Sequence, residues 1–245
     1  MLNMRLNRYL AACGVCSRRE ADRLIEGGRV TVDGQPAAVG TAVDQGAVVE
    51  VDGQRVTPRQ ETIVFAYHKV PGVVCTERDA HASRTLADEL AGRPEVKDAG
   101  RLLYIGRLDK ESEGLLLLTT DAELKRRLES ARGGVEKEYE VTVDQPLTKD
   151  AAKLLEKGVF LKDLGLKTRP CRIRLSDTDP RHFTVILTEG KNRQIRRMCE
   201  SEGLRVTRLV RVREGNIRLG DLKPGGIRRV SQEEMEGGHD EADGR

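Results

Sequence analysis

The sequence predicts an α+β protein, in which a small N-terminal unit of two helices and a small sheet precedes a mixed, largely antiparallel sheet with flanking helices. Three observations support this prediction. The 245 residues are 38% hydrophobic and 34% charged, a folded composition of a length that suits two domains. The first apolar residues recur at helical spacing, whereas later apolar runs have strand length. Strands joined by short turns outnumber strand-helix-strand units, which disfavours a doubly wound sheet.

Two helices are predicted at the start of the N-terminal unit, residues 1–55. Leu6 and Leu10 share one helical face, and Gly14 ends the pattern. Ser17 and Glu20 have the spacing of a capping box, so a second helix begins there. Two β-rich runs follow, each closed by an Asp-Gly pair that is typical of a tight hairpin turn.

The second domain is predicted to span residues 62–231, after a polar, proline-containing linker. Its predicted strands are residues 63–67, 102–105, 114–119, 139–143, 171–175 and 183–187. Its predicted helices are residues 121–128, 148–156 and 192–202. Residues 232–245 are strongly acidic, and we expect them to form a disordered tail.

Several functional classes are disfavoured by the composition. The longest apolar run, residues 115–118, is far short of the roughly 18 to 20 residues of a membrane span, and no secretory signal is recognisable. Five cysteines at no framework spacing suggest reduced thiols in a cytoplasmic protein. Cys13 and Cys16 could suggest zinc or redox chemistry, but without a second such pair two partly buried thiols fit better.

Neither a cofactor nor a metal is expected. The chain has no Gly-rich phosphate loop and no dinucleotide fingerprint, and a Gly-x-Ser-x-Gly elbow is also absent. Two basic segments, residues 1–30 and 191–218, lie far apart in the sequence. They suggest a polyanion that is contacted in two places, although solvated charge with no partner accounts for them equally well.

Asp109 is the first candidate for a reacting group. It lies in the polar part of GRLDKESEGLLLLTTD, between two apolar runs. Buried strands on both sides would hold its carboxylate rigidly, as a reacting acid requires. An ordinary aspartate in a turn gives the same pattern, so the loop alone leaves both interpretations open.

Residues 4–52 resemble the small RNA-binding module named after a ribosomal small-subunit protein, through the pattern SRREAD-x-LI-x-x-G-x-V-x-V-D-G. The resemblance implies that arginines of this unit, including Arg5, Arg18 and Arg19, contact RNA phosphates. Without the resemblance, the same helices could be a generic cap on a catalytic domain.

Three further segments, GRLDKESEGLLLLTTD, KEYEV and EGKNRQIRRMCES, occur in an order that resembles the pseudouridine synthases. The similarity is to the RsuA/RluB/RluF family, which modifies ribosomal RNA and carries the same module, and within it to the RluF-like enzymes. It covers residues 4–230. It implies a pseudouridine-synthase sheet and the isomerisation of a flipped-out uridine in structured RNA, with 23S large-subunit ribosomal RNA, before assembly is complete, as the expected substrate.

The resemblance also implies roles for individual residues. Asp109 matches the catalytic aspartate, and Tyr139 matches the tyrosine that stacks on the target base and takes part in proton transfer. Arg196 matches the basic residue that pairs with the aspartate and keeps it ionised. Residues implied to contact the substrate are Arg107, Arg193, Arg197 and Leu209. One departure is His68-Lys69-Val70, where relatives read Asn-Lys-Pro.

Other functions stay open at this point. A non-catalytic RNA-binding or ribosome-assembly protein would use the module and the basic helix without needing Asp109, Tyr139 and Arg196 together. The same enzyme could act on 16S ribosomal RNA or on tRNA. A glycosidase would need two carboxylates about 5 to 9.5 Å apart; Asp121 and Glu123 fit a helix N-terminus better. We expect a monomer with no membrane partner.

Overall fold

A computed structural model describes residues 4–58, 61–76, 84–97, 99–130 and 134–237. The chain divides into two compact units. The first comprises Met1–Ile63 with Val96–Leu103 and Thr119–Ala122, and the second comprises the remainder. Two short stretches assigned by the sequence to the second domain therefore group with the first unit. No helix in the described ranges is long and apolar enough to cross a bilayer.

The first unit contains the two helices and the small sheet that the sequence predicts. Its elements are β1 Met4–Arg5, α1 Leu6–Ala12, α2 Arg18–Glu26, β2 Val30–Val32, β3 Gln35–Pro36, β4 Ala42–Val43, β5 Val49–Val51 and β6 Gln54–Val56. Strands β3, β2, β5 and β6 form one antiparallel sheet in that order, and β1 pairs with β4. The core joins α1 and α2 to this sheet through Leu6, Leu10, Ala21, Ile25, Val30, Val43 and Val49.

Local sequence signals fix the turns of this unit. Asp33-Gly34 joins β2 to β3 and Asp52-Gly53 joins β5 to β6, all four residues having positive φ as type I′ turns require. Ser17 Oγ accepts the Glu20 N–H at 3.2 Å, as predicted. The capping box also predicts that the Glu20 carboxylate accepts the Ser17 N–H. In the structure this carboxylate accepts a hydrogen bond from Arg23 instead, at 2.9 Å.

The second unit is built around one large sheet. Its elements are β7 Val64–Lys69, α3 Leu86–Leu90, β8 Leu103–Ile105, β9 Glu113–Thr119, α4 Ala122–Glu129, β10 Lys137–Val143, α5 Lys149–Glu156, β11 Phe160–Leu161, β12 Leu166–Lys167, β13 Arg172–Leu175, β14 His182–Leu187, α6 Gln194–Ser201, β15 Val206–Glu214, β16 Ile217–Arg218, β17 Ile227–Arg229 and α7 Gln232–Glu236. Strand β8 and helix α4 each begin at a residue that groups with the first unit, and the last residue of β9 also groups with it. The strands and helices predicted for this domain all form within about two residues of their expected bounds.

The order of the large sheet is β13-β14-β10-β15-β9-β7-β17, with β16 beside β15 and β8 beside β9. Strand β10 is antiparallel to both β14 and β15, and β7 to β17, whereas β9 and β15 are parallel. The predicted mixed, largely antiparallel sheet is therefore confirmed. Strand β15 was not predicted, because its arginines interrupt the apolar run.

Two apolar clusters hold this sheet to its helices. One joins β10, β14 and β15 to α5 and α6. The other joins β7, β9 and β15 to α4. Both clusters draw on β15, so the sheet centre is fixed from two sides and can support a site at the ends of β9, β10 and β15.

The acidic C-terminal segment begins as a helix, which differs from the expected disorder. Ser231 and Glu234 form a complete capping box at the start of α7. Arg228 donates to both carboxylate oxygens of Glu234, at 2.8 and 2.9 Å. Acidic side chains in the first turn also favour a helix N-terminus. Residues 238–245, the rest of the expected tail, lie outside the described residues.

Gly114 permits a close approach between β9 and β15. Its φ is +104°, and a Cβ at this position would lie 2.3 Å from the backbone oxygen of Arg211. Backbone atoms cannot yield as a flexible side chain can. Only glycine therefore allows the parallel pairing that sets β9 beside β15 at this point.

We predict that Gly114→Ala lowers the free energy of unfolding by about 2–5 kcal/mol, because it adds both backbone strain and a steric clash. Urea unfolding followed by circular dichroism measures this change. Gly190→Ala is the matched control, since Gly190 has open space around its Cα and an ordinary φ. Equal stability of Gly114→Ala and the parent would contradict the close approach of the strands.

Candidate active site

A cleft of about 680 Å³ opens in the second unit, between the β8–β9 loop, β10, β15 and the loop that precedes α6. Cationic side chains outnumber acidic ones in its wall. The charged lining residues are Arg107, Lys110, Lys125, Lys137, Lys191, Arg193 and Arg211, against Asp109, Glu129 and Glu214. Such a lining favours an anionic ligand.

Lys69 fixes the loop that carries Asp109. This lysine ends β7 with none of its surface exposed. Its Nζ donates to the backbone oxygens of Ser112 at 2.8 Å, Asp109 at 3.1 Å and Lys110 at 3.4 Å, and to that of Val70 at 3.1 Å. Burial lowers the pKa of Lys69, although nearby acidic groups including Asp109 oppose that shift. The loop is thus held by its backbone, and its side chains are left for other contacts.

The start of the same loop is held by α4. The Gly106 N–H donates to Glu129 Oε1 at 2.7 Å, and Lys125 Nζ donates to the Tyr104 oxygen at 2.6 Å. Lys125 and Glu129 also form an ion pair with each other. Both ends of the loop are therefore anchored, and Asp109 is partly exposed between them.

Tyr139 lies on β10 and lines the cleft with Asp109. It is directly opposite Arg211 of β15, immediately after an irregularity in the strand register at Glu138. Directly opposed residues project from the same face of a sheet, so Tyr139 and Arg211 meet in the cleft floor. Burial raises the pKa of Tyr139 and Glu214 adds to this, outweighing the opposing effect of Arg211. The shift therefore reinforces the neutral form that a phenol of ordinary pKa already takes near neutral pH.

A buried ion pair supports Tyr139 from below. Arg211 and Glu214 are 1% and 2% exposed, and Arg211 Nη2 lies 3.2 Å from Glu214 Oε2. Arg211 Nε also donates to the Leu115 oxygen of β9 at 2.7 Å, and Lys137 Nζ lies 3.6 Å from Glu214. Burial alone would lower the pKa of Arg211, but Glu214 and Tyr139 raise it, so the guanidinium stays charged.

The ion pair expected between Arg196 and Asp109 is not formed. Arg196 is buried in α6, where Nη1 donates to the Val206 oxygen at 3.2 Å and Nη2 to Ser112 Oγ at 3.4 Å. Arg196 therefore reaches the loop of Asp109 through Ser112, three residues beyond the carboxylate. The expectation came from a motif match, which gives no distance between two segments more than 80 residues apart.

Arg193, which caps the N-terminus of α6, and Arg197, within the helix, make different contacts. Arg193 lines the cleft and pairs with Glu111 at 2.5 Å, and its pKa is raised chiefly by that hydrogen bond. Arg197 lies outside the cleft lining, where it binds the Asn192 backbone oxygen at 3.0 Å and Asp163. Its donors are engaged within the protein, which disfavours the expected phosphate contact.

The remaining predicted residues lie in both units. Arg107 is exposed on the rim of the cleft and Leu209 is buried in its wall. Arg5, Arg18 and Arg19 are all exposed on the first unit. Among the described residues, no group of three or more His, Cys, Asp or Glu side chains is arranged to hold a metal ion. The two thiols Cys13 and Cys16 are free and partly buried.

Sequence reasoning missed Lys69, Arg211 and Glu214. Each of these residues could have been noticed, because each is a charged residue that ends or interrupts an apolar strand. Such a residue needs a partner when it is buried. The partners themselves are far away in sequence, at Asp109 for Lys69 and at Tyr139 for Arg211. Only the sheet order brings them together.

Comparisons with known proteins agree with this geometry. Residues 63–201, more than half of the chain, match the RNA pseudouridylate synthase family, and residues 4–49 match the S4 domain. The dual-specificity RNA pseudouridine synthase RluF of Salmonella typhi is 39% identical over 94% of this chain and 77% of its own length. The ribosomal large subunit pseudouridine synthase B of Vibrio cholerae is 39% identical over 92% of this chain and 70% of its own.

A solved structure described as a pseudouridylate synthase superposes on the chain with a TM-score of 0.68 and 26% identity. It covers 95% of this chain, and the match spans 98% of that protein. The fold, the family match and the relatives all agree with the resemblance carried by the three sequence motifs. The chain belongs to the RNA pseudouridylate synthase family and, by its relatives, to the group of RNA pseudouridine synthases that includes RluF and RluB.

Proposed function

We propose that this protein isomerises specific uridines in large-subunit ribosomal RNA, with Asp109 as the catalytic carboxylate. The observation that carries the proposal is that Asp109 and Tyr139 line one cleft with a cationic wall, on a loop and a strand that are both anchored. A non-catalytic RNA-binding protein would need the positive charge but not a carboxylate on an anchored loop.

The reaction needs a carboxylate and no cofactor. The bond from uracil N1 to ribose C1′ breaks, the base turns, and C5 bonds to C1′ while its proton is lost and N1 gains one. Substrate and product are isomers, so no oxidant or water is consumed. Asp109 can attack C1′ directly or assist formation of a glycal, and either route requires the ionised carboxylate.

Tyr139 is proposed to stack on the target uracil and to take part in proton transfer through its hydroxyl. A phenol of ordinary pKa is already protonated near neutral pH and the pKa of Tyr139 is raised further, so the hydroxyl begins the reaction as a hydrogen-bond donor. Leu209 supplies an apolar contact to the base, and Arg107 and Arg193 lie where phosphates could reach them. Arg196 acts on Asp109 through the loop, by way of Ser112.

The substrate is proposed to be an unpaired or poorly stacked uridine. A uridine inside a helix cannot present its glycosidic bond to Asp109, and flipping a base costs a few kcal/mol, least where it is already unpaired. We propose that residues 1–55 form an RNA-binding module that adds affinity, with Arg5, Arg18 and Arg19 on phosphates, and that residues 62–231 form the catalytic domain. The name of the Vibrio cholerae relative favours ribosomal RNA of the large subunit. The term dual-specificity in the name of the RluF relative is consistent with a second RNA substrate, for which we propose tRNA.

Action on ribosomal RNA before assembly is complete implies a cytoplasmic protein. One cleft holds all the proposed reacting groups, so a monomer suffices. The acidic residues that follow α7 have no assigned role in this proposal.

Asp109→Asn is expected to lower kcat for isomerisation by about 1,000-fold or more, because the charge of the carboxylate is lost. RNA affinity should change less than about threefold, because the volume of the side chain is kept. Carbodiimide labelling of RNA treated with purified protein measures turnover, and filter binding measures affinity. Asp221→Asn, an exposed aspartate outside the cleft, is the control. Turnover by Asp109→Asn, once deamidation has been excluded by mass spectrometry, would contradict the assignment.

Lys69→Met is expected to lower kcat about 100-fold and the free energy of unfolding by about 3 kcal/mol, because small displacements of a reacting group are costly and buried carbonyls lose their donor. Lys110→Met is the comparison, since Lys110 lines the cleft without holding the loop through its side chain. It should weaken RNA binding and leave kcat almost unchanged. Matching effects of the two variants would show that only cleft charge matters.

The RNA target is tested by mapping pseudouridine in total RNA from strains with and without the gene. A modification at an unpaired position of large-subunit RNA should disappear and return on complementation, but not with Asp109→Asn. Loss confined to small-subunit RNA or to tRNA would refute the proposed substrate and leave the enzyme class intact.

A further inference from the structure

Phe160 stands apart from the other phenylalanines of the chain. The sequence contains only three phenylalanines, four tyrosines and no tryptophan. Phe65 and Phe183 are 5% and 1% exposed, whereas Phe160 is 58% exposed, the highest exposure of any large apolar side chain in the described ranges. One of the few aromatic side chains of this protein is therefore exposed to solvent.

The β11–β12 hairpin forces this exposure. Leu161 pairs with Leu166, and Leu161 is buried in the core against which α6 packs. Successive side chains of a strand point to opposite faces, so Phe160 must face away from that core. Its direct cross-strand partner is Lys167, which places an aromatic ring and an ammonium group side by side on the outer face.

The surroundings of the ring are cationic. Exposed basic residues on or next to the hairpin are Lys162, Lys167 and Arg169. Of the acidic residues nearby, Asp163 is engaged by Arg197, and Glu156 accepts the Ile173 N–H at 2.9 Å. The outer face of the hairpin therefore combines one aromatic surface with a positive potential.

The hairpin is also tied to the rim of the cleft. The Arg169 N–H donates to Glu189 Oε1 at 2.8 Å, and Lys191, which lines the cleft, lies 3.6 Å from the same carboxylate. Thr168 Oγ1 accepts the Val159 N–H at 3.0 Å, which closes the base of the hairpin. Through Glu189, the end of the hairpin is therefore linked to a residue of the cleft wall.

We propose that the outer face of the β11–β12 hairpin is an RNA-binding surface, on which an unpaired base near the target uridine stacks against Phe160 while the adjacent lysines contact phosphates. The proposal deepens the function given above and rests on it. Base-aromatic stacking beside cationic side chains is the usual chemistry of single-stranded RNA recognition. A protein partner fits less well, because lysine is depleted in the cores of protein interfaces.

Fluorescence provides a direct test, because the chain has no tryptophan. Phe160→Trp introduces a single indole at the proposed stacking position, and Leu154→Trp introduces one at a neighbouring apolar position of similar exposure, 52%. On titration with an RNA oligonucleotide that contains the mapped target loop and its flanking nucleotides, Phe160→Trp emission should be quenched by half or more. Leu154→Trp emission should change by less than a tenth.

Substitution tests the energetic contribution. Phe160→Ala should weaken binding of the same RNA about 5- to 100-fold, the range for one stacked base. At saturating RNA its kcat should stay within twofold of the parent, and Phe160→Tyr should restore affinity. Leu154→Ala should bind RNA normally, and thermal unfolding of both alanine variants should match the parent.

Results that contradict the RNA-binding surface can be told apart from results that contradict the proposed function. If the parent binds and modifies RNA but Phe160→Trp emission is unchanged, or Leu154→Ala loses as much affinity as Phe160→Ala, the RNA surface is refuted and the proposed function stands. A concentration-dependent dimer of the parent that Phe160→Ala abolishes would assign the ring to a second copy and also overturn the proposal. If the parent neither binds nor modifies RNA, the proposed function itself fails.

Discussion

The candidate site depends on the hydrogen bonds that the buried ammonium group of Lys69 donates to backbone oxygens. Removing such a group from water costs several kcal/mol, and only close oxygen atoms can offset the loss. Four backbone oxygens supply that compensation, three of them from the loop that carries Asp109. Because these carbonyls converge on one nitrogen, the loop backbone has little freedom. The proposed catalytic carboxylate, that of Asp109, is therefore held in place by the end of β7.

A second buried charge, Arg211, repeats this arrangement under Tyr139. An isolated buried ion pair rarely adds stability compared with apolar residues of equal volume, so stability alone does not explain Arg211 and Glu214. Their position does, since both line the cleft and both act on the pKa of Tyr139 in opposite directions. Glu214 balances the guanidinium and opposes its lowering of the pKa of Tyr139, which burial chiefly raises. In both cases a charge is buried where a proposed reacting side chain needs a fixed position or a fixed protonation state.

Much of the fold was predictable because it rests on local signals. Apolar spacing, caps and Asp-Gly turns predicted the helices α1, α2, α4, α5 and α6 and the longer strands β7, β9, β10, β13 and β14 within about two residues, whereas the short elements α3, β11, β12, β16 and β17 were not predicted. Strand β15 was missed because Arg208, Arg211 and Arg213 interrupt its apolar residues without a strict alternation, and sequence alone does not show that a charged residue such as Arg211 is buried. The helix α7 was missed because an acidic composition was read as disorder, whereas its capping box and Arg228 stabilise it.

The sequence predicted which residues line the cleft better than it predicted which side chains contact one another. Asp109, Tyr139 and Leu209 line one cleft, as the resemblance implied. The partner of Asp109 was wrong, because Arg196 stops at Ser112. Lys69 was noted only as part of a departure from the usual motif, since its role depends on contacts some 40 residues away that no local pattern encodes.

Catalysis on a flipped base also sets a demand beyond the cleft. Extruding a uridine costs a few kcal/mol of stacking, and the bases on either side lose a neighbour at the same time. In the proposed mechanism Tyr139 stacks only on the base that enters the cleft, and cationic side chains bind phosphates whether or not the bases are stacked. An aromatic surface outside the cleft would stabilise the disturbed neighbour and so favour the flipped state. In a chain this poor in aromatic residues, an exposed ring beside a lysine is where that stabilisation is available.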